Sequence, residues 1–311
     1  MNRKLLLACA IGAFCMWTSA VQAQRGPVLK AHIGLSNYLG DIGSGVTPRR
    51  GFISDMELQS TRLTAGMSIR GRISPGWYWS GGLHYVGIEG DDARTEYGPR
   101  RARNLHFKNN LVDLTGRVHY GIRLSNSGQN ARNQTLLTFF SGVGLYLSNP
   151  KATIRDPETG AFGSEWHALQ PLRTEGVSYS RVGACVPVGM SFETRASGGL
   201  MVGVELAWRF TYSDYLDDIS GMYAFHPAGS LAQQLGSQAS EYSLAQAGPG
   251  SGELANHQYT PSGTLRGNSN RTDGYGTLTV TISRATPKSG ALNRKRGTNW
   301  IPMPDLRGRW N

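Results

Sequence analysis

Between Leu200 and Thr211 the chain alternates without a break: Leu200, Val202, Val204, Leu206, Trp208 and Phe210 share one face, and Met201, Gly203, Glu205, Ala207, Arg209 and Thr211 the other. A period of two is the signature of a β-strand, which sets every second side chain on the same surface. One surface here is wholly apolar, while the other carries Glu205 and Arg209, four residues apart and so pointing the same way. A soluble sandwich buries the apolar face and wets the polar one, whereas a transmembrane barrel turns the apolar face to lipid and packs the charges inside. One strand does not choose between these, but the other strands and the connection lengths do.

The alternation recurs in seven further segments: 28–36, 61–73, 77–88, 110–124, 135–147, 179–193 and 275–284. Pro187 sits within the sixth strand in chain order, where it removes a ladder donor. The third opens with Trp77, Tyr78 and Trp79 beside a tight turn at Ser74-Pro75-Gly76, as an interfacial aromatic girdle would. Connections after strands two, four and six are short, and those after one, three, five and seven are long. Short periplasmic turns, long external loops and an even strand number predict an all-β fold, an eight-stranded antiparallel transmembrane outer-membrane β-barrel with long extracellular loops. So small a barrel fills its lumen with side chains and leaves no open pore. Asp113, Arg117, Arg181, Glu193, Glu205 and Arg209 have inward parity and are expected to form a paired charge network, because each unpaired member would cost several kcal/mol.

The two ends of the chain fit export. Asn2, Arg3 and Lys4 precede an apolar run from Leu5 to Trp17, and Val21-Gln22-Ala23 supplies small residues for cleavage, so 1–23 reads as a signal peptide. A lipobox at Leu6-Leu7-Ala8-Cys9 is the alternative, with a run too short for an ordinary signal. Residues 24–284 then form the barrel, and 285–311 a basic periplasmic tail. Past the signal, Cys185 is the sole cysteine, so the barrel has no internal disulfide. Of the formal charge of +11, about +9 remains after Arg3 and Lys4 leave, and this excess excludes nothing by itself. In an exported barrel nucleic acid is not its partner. Arg94, Arg100, Arg101, Arg103 and Lys108 in the second external loop suit lipopolysaccharide or simple solvation. In the tail, Arg294, Lys295, Arg296, Trp300 and Trp310 combine steering charge with aromatic anchors, the composition of a partner contact or of an assembly signal.

Two sharper chemistries compete with plain structural roles. Asp214, Asp217 and Asp218, with Asp41, lack the alternate-ligand spacing of a calcium loop, and aspartates beside Gly221 cap turns. His32, His84 and His119 share lumen parity with acidic residues, but the sequence has no nucleophile motif, which points to interior polar groups and away from an enzyme. We therefore expect no catalytic, cofactor or metal site, and a monomeric barrel in outer-membrane lipid.

Four stretches resemble the PorG-like barrel proteins of the Bacteroidetes type IX secretion and gliding system: Ser36 to Gly43, His106 to Gly116, Trp166 to Gly176 and Ser213 to Tyr223. The residues that carry the resemblance are Asn37, Tyr38, Gly40 and Asp41 in the first external loop, and Leu169, Gln170, Pro171, Leu172, Thr174, Glu175 and Gly176 in the third. Asp214, Tyr215, Leu216, Asp217 and Asp218 carry it in the fourth. The resemblance implies a non-enzymatic barrel associated with a periplasmic ring. This chain departs from the family pattern in the length of 224–272 and in its tail. A general small barrel of the OmpA or OmpX kind, anchoring or adhesive, is the alternative. The three loop motifs all emerge at one mouth, so they are expected to fold together as a cap.

Overall fold

The computed structural model describes residues 26–43, 58–124, 135–196, 199–247 and 262–285. The segment read as a signal peptide, 1–23, and the chain beyond Ala285 lie outside these residues. Eight long strands follow one another up and down: β1 (Val28–Leu39), β2 (Arg62–Ser74), β3 (Trp77–Asp91), β4 (His106–Leu124), β5 (Thr135–Leu147), β8 (Val182–Arg195), β9 (Leu200–Thr211) and β10 (Gly274–Ala285). Two short strands, β6 (Lys151–Ala152) and β7 (His167–Ala168), form a ribbon on the outer end of β4. Each barrel strand pairs antiparallel with its neighbours in the chain, and β10 pairs with β1 from Val28↔Ala285 to Leu39↔Gly274, which closes the sheet. Closure leaves no barrel strand with an unpaired edge.

The exposure pattern is that of a membrane barrel. Val143 is 71% exposed, Leu63 70% and Met67 69%, whereas Asp113, Glu193 and Arg209 are at most 1% exposed. Apolar side chains form the outer belt and charges fill the interior, the reverse of a soluble protein. No helix among the described residues is long and apolar enough to cross a membrane. At the end where β1 begins and β10 stops, the described hairpin turn is tight, with Gly76 at φ +79, a conformation that suits glycine. Trp77 and Tyr120 pack there with ring centroids 5.1 Å apart on the outer wall, at the level of an interfacial girdle.

Several strands run further at the outer end than alternation suggests. β4 starts at His106 and pairs with β3 as far as Asp91↔His106, although Glu89 to Asn104 reads as a polar loop. Above the membrane the outward face meets water, so Lys108 and Asn110 replace the apolar half of the pattern and the periodicity vanishes. Pro187 does have the expected local effect. The β5–β8 ladder runs to Ser141↔Val188 and resumes at Gly144↔Cys185, while β8 keeps its pairing with β9 through Pro187↔Arg209. The outer loops hold three short helices, α1 (Gly98–Arg103), α2 (Leu231–Gly236) and α3 (Glu241–Ala247), and α1 ends on Asn104 in the left-handed region.

Candidate functional site

The lumen is built in layers from inward positions of seven strands. Nearest the periplasm, Glu193 takes the Lys30 ammonium at 2.5 Å and both Arg70 amino groups at 2.7 and 2.9 Å. Above it Glu205 accepts from Arg117 at 2.8 Å, with Lys30 at 3.6 Å. Higher still, Asp113 faces Arg209 Nε at 2.6 Å in a close charge contact, and bonds His84 Nδ1 at 2.8 Å and the Tyr275 hydroxyl at 3.2 Å. Arg209 also donates to Thr277 at 2.8 Å. Of the six residues read as a lumen network, five are in these layers. Arg181 is not: it is exposed at the outer mouth, one residue before β8 begins, and donates to the Ser148 carbonyl at 3.0 Å. Parity alone placed it inward, but parity stops having meaning where the ladder ends.

The three inward histidines take different polar partners, although the His32 and His84 rings meet edge to face with centroids 5.2 Å apart. His32 Nε2 meets Ser68 Oγ at 2.8 Å, His119 Nε2 meets Ser80 Oγ at 2.7 Å, and His84 joins Asp113. A hydroxyl on an imidazole beside a carboxylate is the raw material of acyl transfer. The third link is long, however: His32 Nδ1 stands 3.9 Å from Glu205, beyond hydrogen-bonding reach, and Glu205 is already held by Arg117.

At the outer mouth the polar layers give way to an apolar cluster. Val86, Leu111, Phe107, Tyr146 and Tyr275 come from the wall, and Leu216 and Ile219 descend on them from the β9–β10 loop, both at most 1% exposed. This loop is pinned by polar contacts to the other motif segments. The Tyr38 hydroxyl lies 2.6 Å from Asp217 and 2.8 Å from Asp273 while accepting from the Asp41 backbone N–H at 3.0 Å. Asp218 accepts from Thr174 and, at 2.6 Å, from Tyr179. Glu175 receives the backbone N–H groups of Ser220 and Gly221 at 3.0 and 2.9 Å and the Arg266 guanidinium at 3.2 Å. From the second motif, Asn109 donates to the Leu216 carbonyl at 2.7 Å. Asp41 holds the Asn268 N–H at 2.6 Å.

The remaining motif residues support this cap. A Cβ on Gly40 would stand 1.5 Å from the Tyr38 hydroxyl, so only glycine lets that ring fold back over its own strand end. Asn37 is buried beside Thr61, and Leu169 packs with Ala152 and Leu235, with Leu172 against them. Gln170 donates to the Tyr179 carbonyl at 2.9 Å, within the Gln170–Leu172 turn that contains Pro171. Gly176 has a φ of +73. Tyr215 stacks on Tyr179 with centroids 4.5 Å apart, and Asp214 is half-buried beside it.

Burial pushes the Asp217 carboxyl well above the usual carboxylate range, and the Asp41 charge adds to the shift. Geometry agrees, because the single hydroxyl proton of Tyr38 serves only one of two carboxylate oxygens, and the other bond needs a second proton. Burial also raises Asp218, against the pull of Arg266, and raises Tyr179, whose neighbour Asp218 disfavours the phenolate. Of the four aspartates, Asp41, Asp217 and Asp218 hold protein donors in this arrangement. In the second external loop the charges are largely answered internally: Arg94 meets Glu89 at 3.1 Å, Arg103 meets Asp92 at 2.7 Å, and Lys108 lies 4.1 Å over the Trp166 ring. Asp273 and Arg266 are central to the cap yet carry no sequence signal, since both sit in loop sequence without periodicity.

No family model matches the sequence, and no curated protein matches it. Among solved structures, the chain is similar to Ail, the attachment invasion locus protein of Yersinia pestis, crystallised with the heparin analogue sucrose octasulfate. The match has 7% identity, 85% of this chain, 100% of that chain and a TM-score of 0.34. Neisserial surface protein A is similar at 7% identity over 84% of this chain and 97% of its own, with a TM-score of 0.33. The barrel assignment stands on the closed ladder and the outer belt, independently of these likenesses.

Proposed function

We propose that this chain is a non-enzymatic outer-membrane barrel that acts through its two ends, as an anchored component of a type IX secretion apparatus associated with its periplasmic ring. The observation that carries this reading is the convergence of the motif segments. Tyr38, Asn109, Glu175, Asp217 and Asp218 come from four distant stretches, and all contribute to one cap. The residues that carry the PorG-like resemblance also meet in space, which supports reading them as one unit. A lumen of buried ion pairs beneath an apolar cork favours an anchor over a channel. The alternative, a general anchoring or adhesive barrel of the OmpA or OmpX kind, draws on the apolar side chains displayed on the outer loops, with Phe225 at 83% and Leu265 at 73% exposure.

Affinity purification from detergent-solubilised outer membrane separates the two. The type IX reading expects ring subunits to be recovered with the tagged barrel, and expects removal of 286–311 to reduce that recovery while leaving a heat-modifiable barrel. Arg294, Lys295, Arg296, Trp300 and Trp310 are the proposed contacts in that segment, which lies outside the described residues. Recovery of no ring subunit by the intact protein, with loss of surface attachment on deletion, would replace this reading with the alternative.

A further inference from the structure

We propose that the outer wall of β3, β4 and β6, just above the membrane, binds the phosphate groups of an outer-leaflet glycolipid, with Lys108 and Lys151 as the principal donors. Lys108 is paired across the ladder with Glu89 of β3 on one side and with Lys151 of β6 on the other. Residues directly opposite in a ladder share a face with Cβ atoms about 4.5–5.5 Å apart, and like charges so placed repel. Glu89 does not relieve the repulsion, because its two oxygens are taken by Arg62 and by Arg94, the latter at 3.1 Å. Among the described residues no carboxylate comes within ion-pair distance of either lysine.

The neighbouring acids are occupied too. Asp91 holds Arg155 and lies 3.6 Å from Arg94, so two carboxylates, Glu89 and Asp91, stand among three arginines and the two lysines. Asp156 closes its own turn through the N–H groups of Glu158 and Thr159 at 2.8 and 3.0 Å, and Glu165 lies 3.9 Å from His167. The surplus cations are accessible: Lys108 and Lys151 are both exposed, and the Arg62 side chain is 40% exposed. Lys108 rests 4.1 Å over the Trp166 ring, which is itself set edge-on to His106 with centroids 5.7 Å apart. An aromatic face steadies an ammonium without neutralising it, so less freedom is lost when an anion arrives.

The height of the cluster names the occupant. Tyr85 and Val112 face each other across β3 and β4 and are the last outward apolar side chains of those strands, 47% and 42% exposed. Lys108 is four residues further along β4, about 14 Å along the strand and about 10 Å above the apolar belt for a tilt of about 40°. Lipid headgroups of the external leaflet lie at that level, against the flank of the wall. An acidic protein segment matches the sign of the charge but not this position, where lipid is the neighbour. Phe162, 46% exposed beside Arg155, adds an aromatic face of the kind on which sugar rings stack. The inference rests on the barrel's orientation and is independent of the type IX reading.

The test titrates the full-length exported chain, in neutral detergent, with diphosphoryl lipid A and reads occupancy by native mass spectrometry. Saturable binding is expected for the wild type, and the fully dephosphorylated lipid should bind at least about tenfold more weakly. The K108Q/K151Q variant should bind the diphosphoryl lipid at least about tenfold more weakly than wild type, and K108R/K151R within about threefold of it, because positive charge at these two positions is the determinant. If the glutamine variant does not fold, by loss of heat-modifiable mobility, the single Lys151→Glu variant on the exposed ribbon carries the test, with at least about threefold weakening expected. Unchanged affinity in a folded variant overturns the proposal, as does equal binding of the two lipids. Inorganic phosphate or octaglutamate binding as tightly as lipid A would assign the site to free phosphate or to a protein segment, and either result overturns it.

Discussion

Replacing Glu193 by Gln removes one negative charge and leaves its size almost unchanged, which makes it a direct probe of the lumen network. Glu193 receives three charge-assisted bonds, one from Lys30 and two from Arg70, and all three side chains are at most 5% exposed. Neutralising the carboxylate leaves two buried cations sharing one amide oxygen, with Glu205 3.6 Å from Lys30 as the remaining anion. Charge-assisted hydrogen bonds contribute about 1.5–3 kcal/mol each, but Glu205 and the retained amide oxygen recover part of this. Breaking a buried pair by removing one partner typically costs about 3–5 kcal/mol, and that range is the expected destabilisation. The measurement is equilibrium urea unfolding in lipid vesicles, followed by tryptophan fluorescence and by the heat-modifiable mobility shift. The double variant Arg70→Met with Glu193→Gln should recover part of the loss, because it removes one stranded cation. A Glu193→Gln protein within about 0.5 kcal/mol of wild type, the range of ordinary surface substitutions, would refute the claim that this layer is a tight, desolvated network.

Three further outcomes follow from the geometry. Leu206→Arg, on the lipid face opposite Leu278 and Met190, should cost about 2–4 kcal/mol in the same vesicle unfolding assay, and a negligible change would place that face in water. Gly40→Ala should displace the Tyr38 ring and loosen its hold on Asp217 and Asp273, seen as faster cleavage of the 212–225 segment by added protease in intact cells; wild-type resistance would mean the cap does not depend on that bond. Asp217 has a raised folded pKa, so its contribution to cap stability is fully present below the unfolded value near about 3.9 and is lost as pH rises through the folded value. Hydrogen exchange in the cap should therefore quicken with pH beyond its intrinsic increase, and Asp217→Asn should flatten that excess; an unchanged excess in the variant would assign it to another group.

Strand parity was legible because a membrane barrel makes two solvents of opposite character meet at every strand. Lipid outside and a packed polar lumen inside impose a period of two on segments such as Leu200–Thr211, and the order of short and long connections sets the topology by itself. The same logic placed Glu205, Arg209, Asp113, Arg117 and Glu193 inside. It could not match them, since partnership depends on the stagger of neighbouring strands: Glu205 meets Arg117 across 88 residues of sequence and Glu193 meets Lys30 across 163. Parity failed for Arg181, where the ladder had ended, and was silent for Phe107 and Asn109, where strands continue above the membrane into a single aqueous phase. Strand order alone brought the three loop motifs to one mouth and so foretold a cap, but its contacts belong to tertiary structure. Tyr38, Glu175, Asp218, Arg266 and Asp273 acquire their partners only because closure of the barrel brings the ends of every second connection to one mouth, and in loops no periodic contrast between two solvents records that meeting in the sequence.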